Sequence, residues 1–421
     1  MKINKLFKGF LALSIILAIS IPAKAQQPNP LAEKYEQFKL INNTKDQEKF
    51  YIDLIKQHPL NKANKKFYVR MRSELAVNYL TDENINKYRE YSKYIDDALS
   101  LYELNNVVEK WVDERKHIEW VDEISKQFLS ELESGAIKDE FNRAHEIFLE
   151  VSATVDCIKG NNQSALTKIQ EALKDTTMRN MNYFKNSKPN FINRYGFILA
   201  ASGQTQKAID TLSAAVLSAE STPILVTTLK NVYAKAHGLD SADRYVASLQ
   251  NDAYQHYYKE LENKWIVDGK PAPDVAITKL NGQGFKASDY KGKILIIDFW
   301  STTCTPCKAC FPAFERIVEE YKNQPFQLFV AGIAEDSATQ QAYVDKTKLT
   351  LDVLRDPDMA LFNAIGSKGT PEQFIVDPDG IIRMHGIGYA GSTDREYYEM
   401  KAMIEITKKH ALLSSNAVIK N

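Results

Sequence analysis

Hydrophobic positions change their spacing once along this chain, near residue 265. Before that point, from residue 31 to about residue 261, they recur every three or four positions, the spacing of one face of an α-helix. The clearest segments are 48–57, 66–80, 86–104, 111–132, 140–159 and 164–173. Prolines and β-branched runs are few in this part. The pattern predicts an all-α region over residues 26–262.

Part of the helical region repeats itself. Apolar and small residues recur 34 residues apart: Tyr195, Leu199, Ala208, Leu212 and Ala215 return as Leu229, Tyr233, Ala242, Val246 and Leu249. With a weaker earlier copy, the repeating segment covers about 146–256. This period resembles that of tetratricopeptide helical hairpins, and Gly196 and Gly203 stand where such hairpins place small or turn residues. Antiparallel helix pairs without a true repeat are the alternative, and either arrangement gives a curved surface typical of partner binding.

A boundary follows between residues 263 and 273, where Gly269, Pro271 and Pro273 interrupt the helical spacing. Beyond it, short apolar runs alternate with amphipathic segments. Strands are predicted at 274–280, 294–300, 326–333, 351–354, 373–376 and 381–384, and helices at 306–322, 338–347, 359–364 and 394–410. Such alternation predicts a mixed sheet with helices on both faces. The expected fold class is α + α/β, with the sheet domain at 268–412 and a tail at 413–421.

The first 25 residues have the layout of a secretory signal peptide. Lys2, Lys5 and Lys8 precede an apolar stretch at 9–22, and Ala23-Lys24-Ala25 follows it. The apolar stretch is short for a membrane-spanning helix. We therefore expect cleavage after Ala25 and export to the periplasm. An uncleaved segment that anchors the protein in the membrane is the alternative, and membrane association is expected only in that case.

Length, charge and cysteine content limit the domain organisation and the classes of partner. The 421 residues exceed the size of one hydrophobic core, which favours at least two domains. Basic and acidic residues balance at 54 each, and loss of residues 1–25 removes four lysines, which leaves 50 against 54, or about −4. This balance does not favour nucleic acid as a partner. Four cysteines are too few for a disulfide scaffold in an exported protein of this size.

Two of those cysteines stand at the start of a predicted helix. Cys304 and Cys307 directly follow the apolar strand at 294–300, and Pro306 falls in the first helical turn, where a missing N–H costs nothing. Unpaired N–H groups and the positive end of the helix dipole favour a thiolate there. We expect Cys304 to be a nucleophile, and its pairing with Cys307 is the only one that local spacing supports.

Asp298 is the only ionisable residue in the strand at 294–300. Burial in that strand is expected to raise the pKa of its carboxyl group. A carboxylate so placed can take the proton of Cys307 through a water molecule when that sulfur attacks. The alternative is an aspartate at a strand edge that faces solvent.

The other two cysteines carry weaker signals. Cys310 extends the pair to a C-x2-C-x2-C run, but the residue where an iron–sulfur pattern needs its fourth ligand is Phe314. A zinc site would need a second pair, so neither a metal nor another cofactor is expected. Cys310 is a buried apolar side chain, a modulatory thiol or a partner in another pairing. Cys157 is expected in the core.

Several motifs, taken together, resemble the TlpA/ResA-like thiol–disulfide oxidoreductases, which have a thioredoxin fold within the AhpC/TSA–Redoxin superfamily. The matching stretches are 269–274, 289–293, 299–307, 369–372 and 377–380, in about a third of the chain. The resemblance implies that Cys304 attacks a client disulfide and that Cys307 resolves the mixed disulfide. It also implies a proton-accepting acid six residues before the first cysteine, which is the position of Asp298.

The same resemblance implies where a client binds. Thr370-Pro371 resembles the family's cis-proline loop, which lies beside the cysteines and leaves backbone groups free to pair with an extended segment. Pro371 is accordingly a catalytic-site candidate, with an ordinary trans turn as the alternative. Candidates for client contact are Trp300, Thr305, Pro306, Thr370 and Glu372. Glu372 is expected to add a second carboxylate near the sulfurs.

These patterns favour an exported thiol–disulfide oxidoreductase that exchanges disulfides with cysteine-containing client proteins. A reducing direction, a role like that in cytochrome c maturation and a membrane thiol reductant as electron donor are implied by the resemblance alone. Thr303 stands where this family commonly has tryptophan, so client preference stays open. The alternative is a helical scaffold or client-binding protein with an accessory thioredoxin-like domain.

Overall fold

The computed structural model of this protein describes residues 30–95, 98–138, 144–174 and 183–419. The predicted signal peptide, residues 1–25, lies outside the described residues. Within the described ranges, no helix is both long enough and apolar enough to cross a membrane.

Residues up to 262 are helical wherever the structure describes them, apart from short turns. The helices are α1 (Pro30–Lys39), α2 (Thr44–Gln57), α3 (Lys65–Thr81), α4 (Ile85–Tyr91), α5 (Ala98–Glu114), α6 (Ile118–Glu133), α7 (Ala144–Ile158), α8 (Asn162–Ala172), α9 (Ser187–Ala201), α10 (Thr205–Leu217), α11 (Pro223–His237) and α12 (Leu239–Glu262). Asn43, Asn84 and Thr222 cap α2, α4 and α11, because their side-chain oxygens accept bonds from backbone N–H groups of the first turn.

Two segments that were each predicted as one helix are divided in the structure. The segment predicted as one helix at 86–104 is divided by a 3₁₀ turn at Ser92–Tyr94. The segment predicted at 111–132 is divided between α5 and α6, where Arg115 and His117 adopt left-handed backbone conformations with φ of 59° and 47°. The ring of His117 stacks on Trp120, with centroids 4.4 Å apart. Neither glycine nor proline marks this break, so hydrophobic spacing alone gives no signal for it.

The proposed repeat falls on two consecutive helical hairpins, α9–α10 and α11–α12. Most of the recurring positions belong to one hydrophobic cluster between these helices. A Cβ atom at Gly196 would lie 2.6 Å from the Leu212 side chain, so α9 and α10 can cross this closely only at a glycine. Gly203 turns the chain between them with a φ of +82°. Membership of the tetratricopeptide class stays a prediction.

A buried arginine connects three helices of this region. Arg194 in α9 is 1% exposed, and its guanidinium group meets three carboxylates. The partners are Asp113 at 2.9 Å and Glu109 at 2.9 Å, both in α5, and Glu150 in α7 at 3.2 Å. Because charged hydrogen bonds use most of its donors, the arginine can be buried without an unpaired charge.

After residue 262 the chain forms a mixed sheet with helices. Its strands are β1 (Ile277–Lys279), β2 (Gly284–Phe285), β3 (Ile294–Trp300), β4 (Phe326–Ile333), β5 (Asp352–Asp356), β6 (Glu372–Val376) and β7 (Ile382–Ile387), in the order β2-β1-β5-β4-β3-β6-β7. Its helices are α13 (Thr305–Tyr321), α14 (Ser337–Thr347), α15 (Ala360–Ile365) and α16 (Thr393–Ile419). Strands β3, β4 and β5 are parallel, whereas β6 runs antiparallel to β3.

Strand β3 is central and buried at every residue, as its continuous apolar sequence indicates. Ile296 and Trp300 point to a face where α13 and α16 pack, and Leu295, Ile297 and Phe299 point to the opposite face under α15. The redox cysteines belong to the first face. The predicted fold class, a helical region followed by a thioredoxin-fold domain, is confirmed.

The two regions pack against each other directly. Ala253, Tyr257 and Leu261 of α12 share one hydrophobic cluster with α13 and α16. At the other end of the chain, α16 continues to Ile419 through most of the segment predicted as a tail. Most of this segment is therefore helical, since no glycine or proline stops the helix and the exposed Leu412 and Leu413 have good helical propensity.

Candidate active site

Cys304 occupies the N-cap position of α13. Its sulfur accepts a hydrogen bond from the backbone N–H of Cys307 at 3.3 Å, and Pro306 lies in the first helical turn. Cys304 and Cys307 form a disulfide bond. When the pair is reduced, the same N–H group and the end of the helix stabilise a thiolate on Cys304.

The two sulfurs differ in exposure. Cys304 is half-buried, whereas Cys307 has no exposed surface. Next to Cys304, Thr303 is exposed, and Thr305 and Pro306 are half-buried, so these residues can contact a client. Only the first cysteine is accessible to a client disulfide, and the second can act only after the first has reacted.

Trp300 does not lie on this surface. Its side chain is fully buried and packs edge-on against Phe311, with ring centroids 5.3 Å apart, and against Tyr343 at 5.2 Å. The prediction that Trp300 contacts a client is therefore wrong. Trp300 is the last residue of the buried strand β3, so its side chain points into the core, where it packs under the loop that leads to Cys304.

Asp298 is completely buried in the middle of the sheet. Its Oδ1 accepts a hydrogen bond from Gln373 Nε2 at 2.8 Å, and its Oδ2 has no hydrogen-bond partner among the described residues. Burial raises the pKa of this carboxyl group well above its usual range. The side chain points to the same face of β3 as Trp300, the face that α13 covers. An aspartate that faces solvent is excluded.

A second buried carboxyl group lies close to Cys310 and Asp298, and it was not predicted from the sequence. Glu396 in α16 accepts a bond from the Ala390 N–H at 2.9 Å and interacts electrostatically with the Cys310 thiol and with Asp298. Burial raises the pKa of Glu396 to about 7 and also raises the pKa of the Cys310 thiol. Its helical spacing with the buried Met400 and Met403 was the available signal.

The loop beside the cysteines contains Pro371. The Thr370–Pro371 peptide bond is cis. Thr370 is half-buried, and the Pro371 carbonyl oxygen accepts a hydrogen bond from the Gly388 N–H at 2.9 Å. This bond links the proline loop to the loop between β7 and α16.

Glu372 has a different role from the one predicted. It is 3% exposed, and its Oε2 accepts hydrogen bonds from Ser367 Oγ and the Lys368 N–H, both at 2.8 Å. It alternates along β6 with Gln373, which bonds Asp298, so the two side chains point to opposite faces of the sheet. The expected client contact and second carboxylate near the sulfurs are therefore corrected: Glu372 holds the segment that precedes the cis-proline.

Two further charged residues hold the cysteine loop. The carboxylate of Glu335 accepts the Thr302 N–H at 3.0 Å and the Thr302 hydroxyl at 2.5 Å. Lys308, directly after Cys307, donates from Nζ to the Thr302 carbonyl oxygen at 2.9 Å. Glu335 follows β4, so its place at this edge arises from the parallel pairing of β3 and β4.

The remaining features concern metal binding and Cys157. Within the described parts of the chain, no group of three or more histidine, cysteine, aspartate or glutamate side chains could hold a metal ion. Cys157 is buried in α7, and burial raises the pKa of its thiol to about 11. An un-ionised thiol in the core is unsuited to exchange.

Comparison with known proteins agrees with this geometry. Residues 269–385 match the model of the AhpC/TSA family. The thiol–disulfide oxidoreductase ResA of Geobacillus kaustophilus is 25% identical over 138 residues, which cover 33% of this chain and 78% of that protein. ResA of Bacillus subtilis is 27% identical over 115 residues, which cover 27% of this chain and 64% of that protein.

Among solved structures, the thioredoxin domain of a thiol–disulfide oxidoreductase from Bacteroides vulgatus aligns with a TM-score of 0.29 and 20% identity. The alignment covers 33% of this chain and 98% of that domain. The match to the AhpC/TSA model spans both cysteines, Asp298 and Pro371. The sheet region is thus an AhpC/TSA-family domain of thioredoxin fold, and the protein is a thiol–disulfide oxidoreductase related to the ResA proteins.

Proposed function

We propose that this enzyme is an exported disulfide reductase that acts on cysteine-containing client proteins. The observation that carries the proposal is the unequal exposure of its two sulfurs. Cys304 is half-buried at a helix N-terminus, and Cys307 lies fully buried behind it. This arrangement suits attack by the first sulfur and ring closure by the second.

The exchange proceeds in two steps. The Cys304 thiolate attacks one sulfur of a client disulfide and forms a mixed disulfide, while the other client sulfur leaves as a thiolate and takes up a proton. Cys307 then loses its proton and attacks the Cys304 sulfur, which releases the second client thiolate to be protonated. The client gains two electrons and two protons, and the enzyme is left with the Cys304–Cys307 disulfide.

Asp298 accepts the proton from Cys307 in the second step. A raised pKa brings its carboxyl group closer to the pKa of a thiol, so transfer between them is less unfavourable than to an exposed carboxylate. The unpartnered Oδ2 can accept that proton without breaking an existing hydrogen bond. A membrane thiol reductant then reduces the disulfide again for the next client.

The direction of exchange can be measured as a reduction potential. Equilibration of the pair with glutathione or dithiothreitol buffers should give a value below about −200 mV, on the side of thioredoxin and the glutaredoxins. A value near −120 mV, that of a strong oxidant, would contradict a reductase. Insulin reduction with dithiothreitol as the electron source tests turnover itself. Intact client binding without turnover would favour the scaffold alternative.

Clients can be identified by trapping. In a Cys307→Ser variant the mixed disulfide on Cys304 cannot be resolved, so clients should remain attached and separate from the enzyme only after reduction. The matched control, Cys304→Ser, should retain none. Trapped cytochrome c precursors or their haem-handling partners would support a role in cytochrome c maturation, and a different set of clients would reject that part of the proposal.

Export is tested by cell fractionation. We expect the mature chain in the periplasm with Gln26 as its first residue, released by cleavage after Ala25. Recovery of the full chain from the membrane fraction would instead show an uncleaved anchor.

A further inference from the structure

The helical region reaches the redox pair through a short segment before α9. The turn Tyr183–Lys185 packs on the active-site helix α13. Phe184 lies against the hydrophobic cluster that contains Cys307 and Cys310. Residues far from the cysteines in sequence therefore form part of their surroundings.

The same segment also holds the loop on the other side of the site. Asn186 accepts hydrogen bonds from the Tyr389 hydroxyl at 2.8 Å and from the Thr393 N–H at 2.9 Å. Nearby, Ser221 donates to the Asp394 carboxylate at 2.6 Å. Because Gly388 in this loop bonds Pro371, the helical region is connected through it to the cis-proline loop.

Two lysines lie together where these parts meet. Lys185 lies over the ring of Tyr102 and donates to Asn106 Oδ1, while Lys308 bonds the Thr302 carbonyl oxygen. Both side chains are half-buried, and their positive charges act on each other. Neither forms an ion pair with a carboxylate in the described ranges. Glu103, Glu109 and Glu335 supply negative charge only at longer range.

Two partly desolvated cations of like charge favour an anion between or beside them. We propose that Lys185 and Lys308 form a subsite for an acidic side chain of the client, next to the cysteine that Cys304 attacks. The occupant is assigned to the client because Lys308 directly follows Cys307 in α13 and bonds the loop that carries Cys304 through the Thr302 carbonyl oxygen. This inference rests on the proposed function and adds a preference for clients with aspartate or glutamate near the reactive cysteine.

The subsite is tested with two disulfide-linked peptides that are identical except for glutamate or glutamine next to the cysteine. The wild-type enzyme should have a kcat/KM about fivefold higher for the glutamate peptide, the size expected of one partly buried charge pair, about 1 kcal/mol. Lys185→Met keeps the apolar stem and should bring the ratio close to one. The matched control is Lys188→Met, because Lys188 is exposed three residues away and pairs with Glu220 at 2.5 Å.

The preference should also depend on pH. Burial lowers the pKa of Lys185 to about 8, so this lysine carries its charge below that pH and loses it above. The groups that face it are Tyr102, Glu103 and Glu109 of α5 and Lys308 of α13. The glutamate preference of the wild type should therefore fall as the pH rises through about 8, whereas a purely structural role would leave the ratio unchanged.

Several outcomes would overturn the subsite. Equal kcat/KM for both peptides in the wild type would do so, as would a ratio that survives in Lys185→Met. If that variant does not fold, Lys308→Met replaces it, with the same expected loss of preference. Turnover of both peptides at equal rates refutes only the subsite, whereas turnover of neither refutes the proposed function and the subsite with it.

Discussion

One buried cluster in the helical region and one in the sheet region contain ionisable groups, and the two clusters pair those groups differently. In the helical region, the guanidinium group of Arg194 is paired with three carboxylates. In the sheet region, Asp298 and Glu396 are buried without an ion pair, and Asp298 Oδ2 has no hydrogen-bond partner within the described ranges. A paired charge fixes one arrangement of helices, whereas an unpaired carboxyl group can gain and lose a proton. The Arg194 cluster therefore holds helices together, whereas the cluster of Asp298 and Glu396 can take part in proton transfer.

The largest expected effect tests whether redox chemistry belongs to the sheet region alone. Cys304→Ser removes the attacking sulfur, and insulin reduction should fall by at least about 10³-fold. Cys157→Ala, the matched change in the helical region, should leave turnover unchanged because its thiol is buried and un-ionised. A comparable loss in both variants would break the comparison.

The next effect tests the paired cluster. Arg194→Leu leaves Glu109, Asp113 and Glu150 close together without their cation, and the free energy of unfolding should fall by about 3–5 kcal/mol. Urea denaturation followed by circular dichroism measures the change. Lys188→Met, which breaks only an exposed pair, should cost about 1 kcal/mol or less. Equal stability of the two variants would show that the arginine does not hold these helices together.

The smallest expected effect tests whether Glu396, in the cluster without an ion pair, is the group that titrates. The pKa of Glu396 is raised from 4.5 to about 7 in the folded protein, so the folded state holds the proton more tightly than the unfolded state. The resulting stability is fully present below about pH 4.5 and is lost as the pH rises through about 7, a change of about 3 kcal/mol. Glu396→Gln should lack this loss.

Urea midpoints of the oxidised protein at pH 4.5 and 7.5 measure that difference. Glu319→Gln is the control, because Glu319 is an exposed carboxylate of α13 that pairs with Lys322. Its pH dependence should match the wild type. If Glu396→Gln also keeps the wild-type slope, Glu396 is not the titrating group.

The comparison also explains which predictions from sequence succeeded. The helix start at Cys304 and the buried strand β3 are marked by residues close together in the chain, so spacing and residue type are sufficient to predict them. The raised pKa of Asp298 was predicted from its place in that strand, although the burial that raises it comes from the packing around the strand. The divided helix at Arg115 and His117 was missed, because a left-handed break without glycine or proline has no local signal. Trp300 and Glu372 were assigned to the client surface from their proximity in sequence to the cysteines, but strand alternation points both inward.

By itself, the sequence determined that two cysteines would stand at a helix N-terminus after a buried strand with one acid in it. Only the tertiary structure decided which other groups would surround them. Glu396 lies 86 residues after Cys310, and Lys185 lies more than a hundred residues before the pair, yet packing of α16 and of the segment before α9 brings both to α13. The physical reason is that thiolate stabilisation at a helix end is local, whereas burial and charge depend on every element that packs around the site.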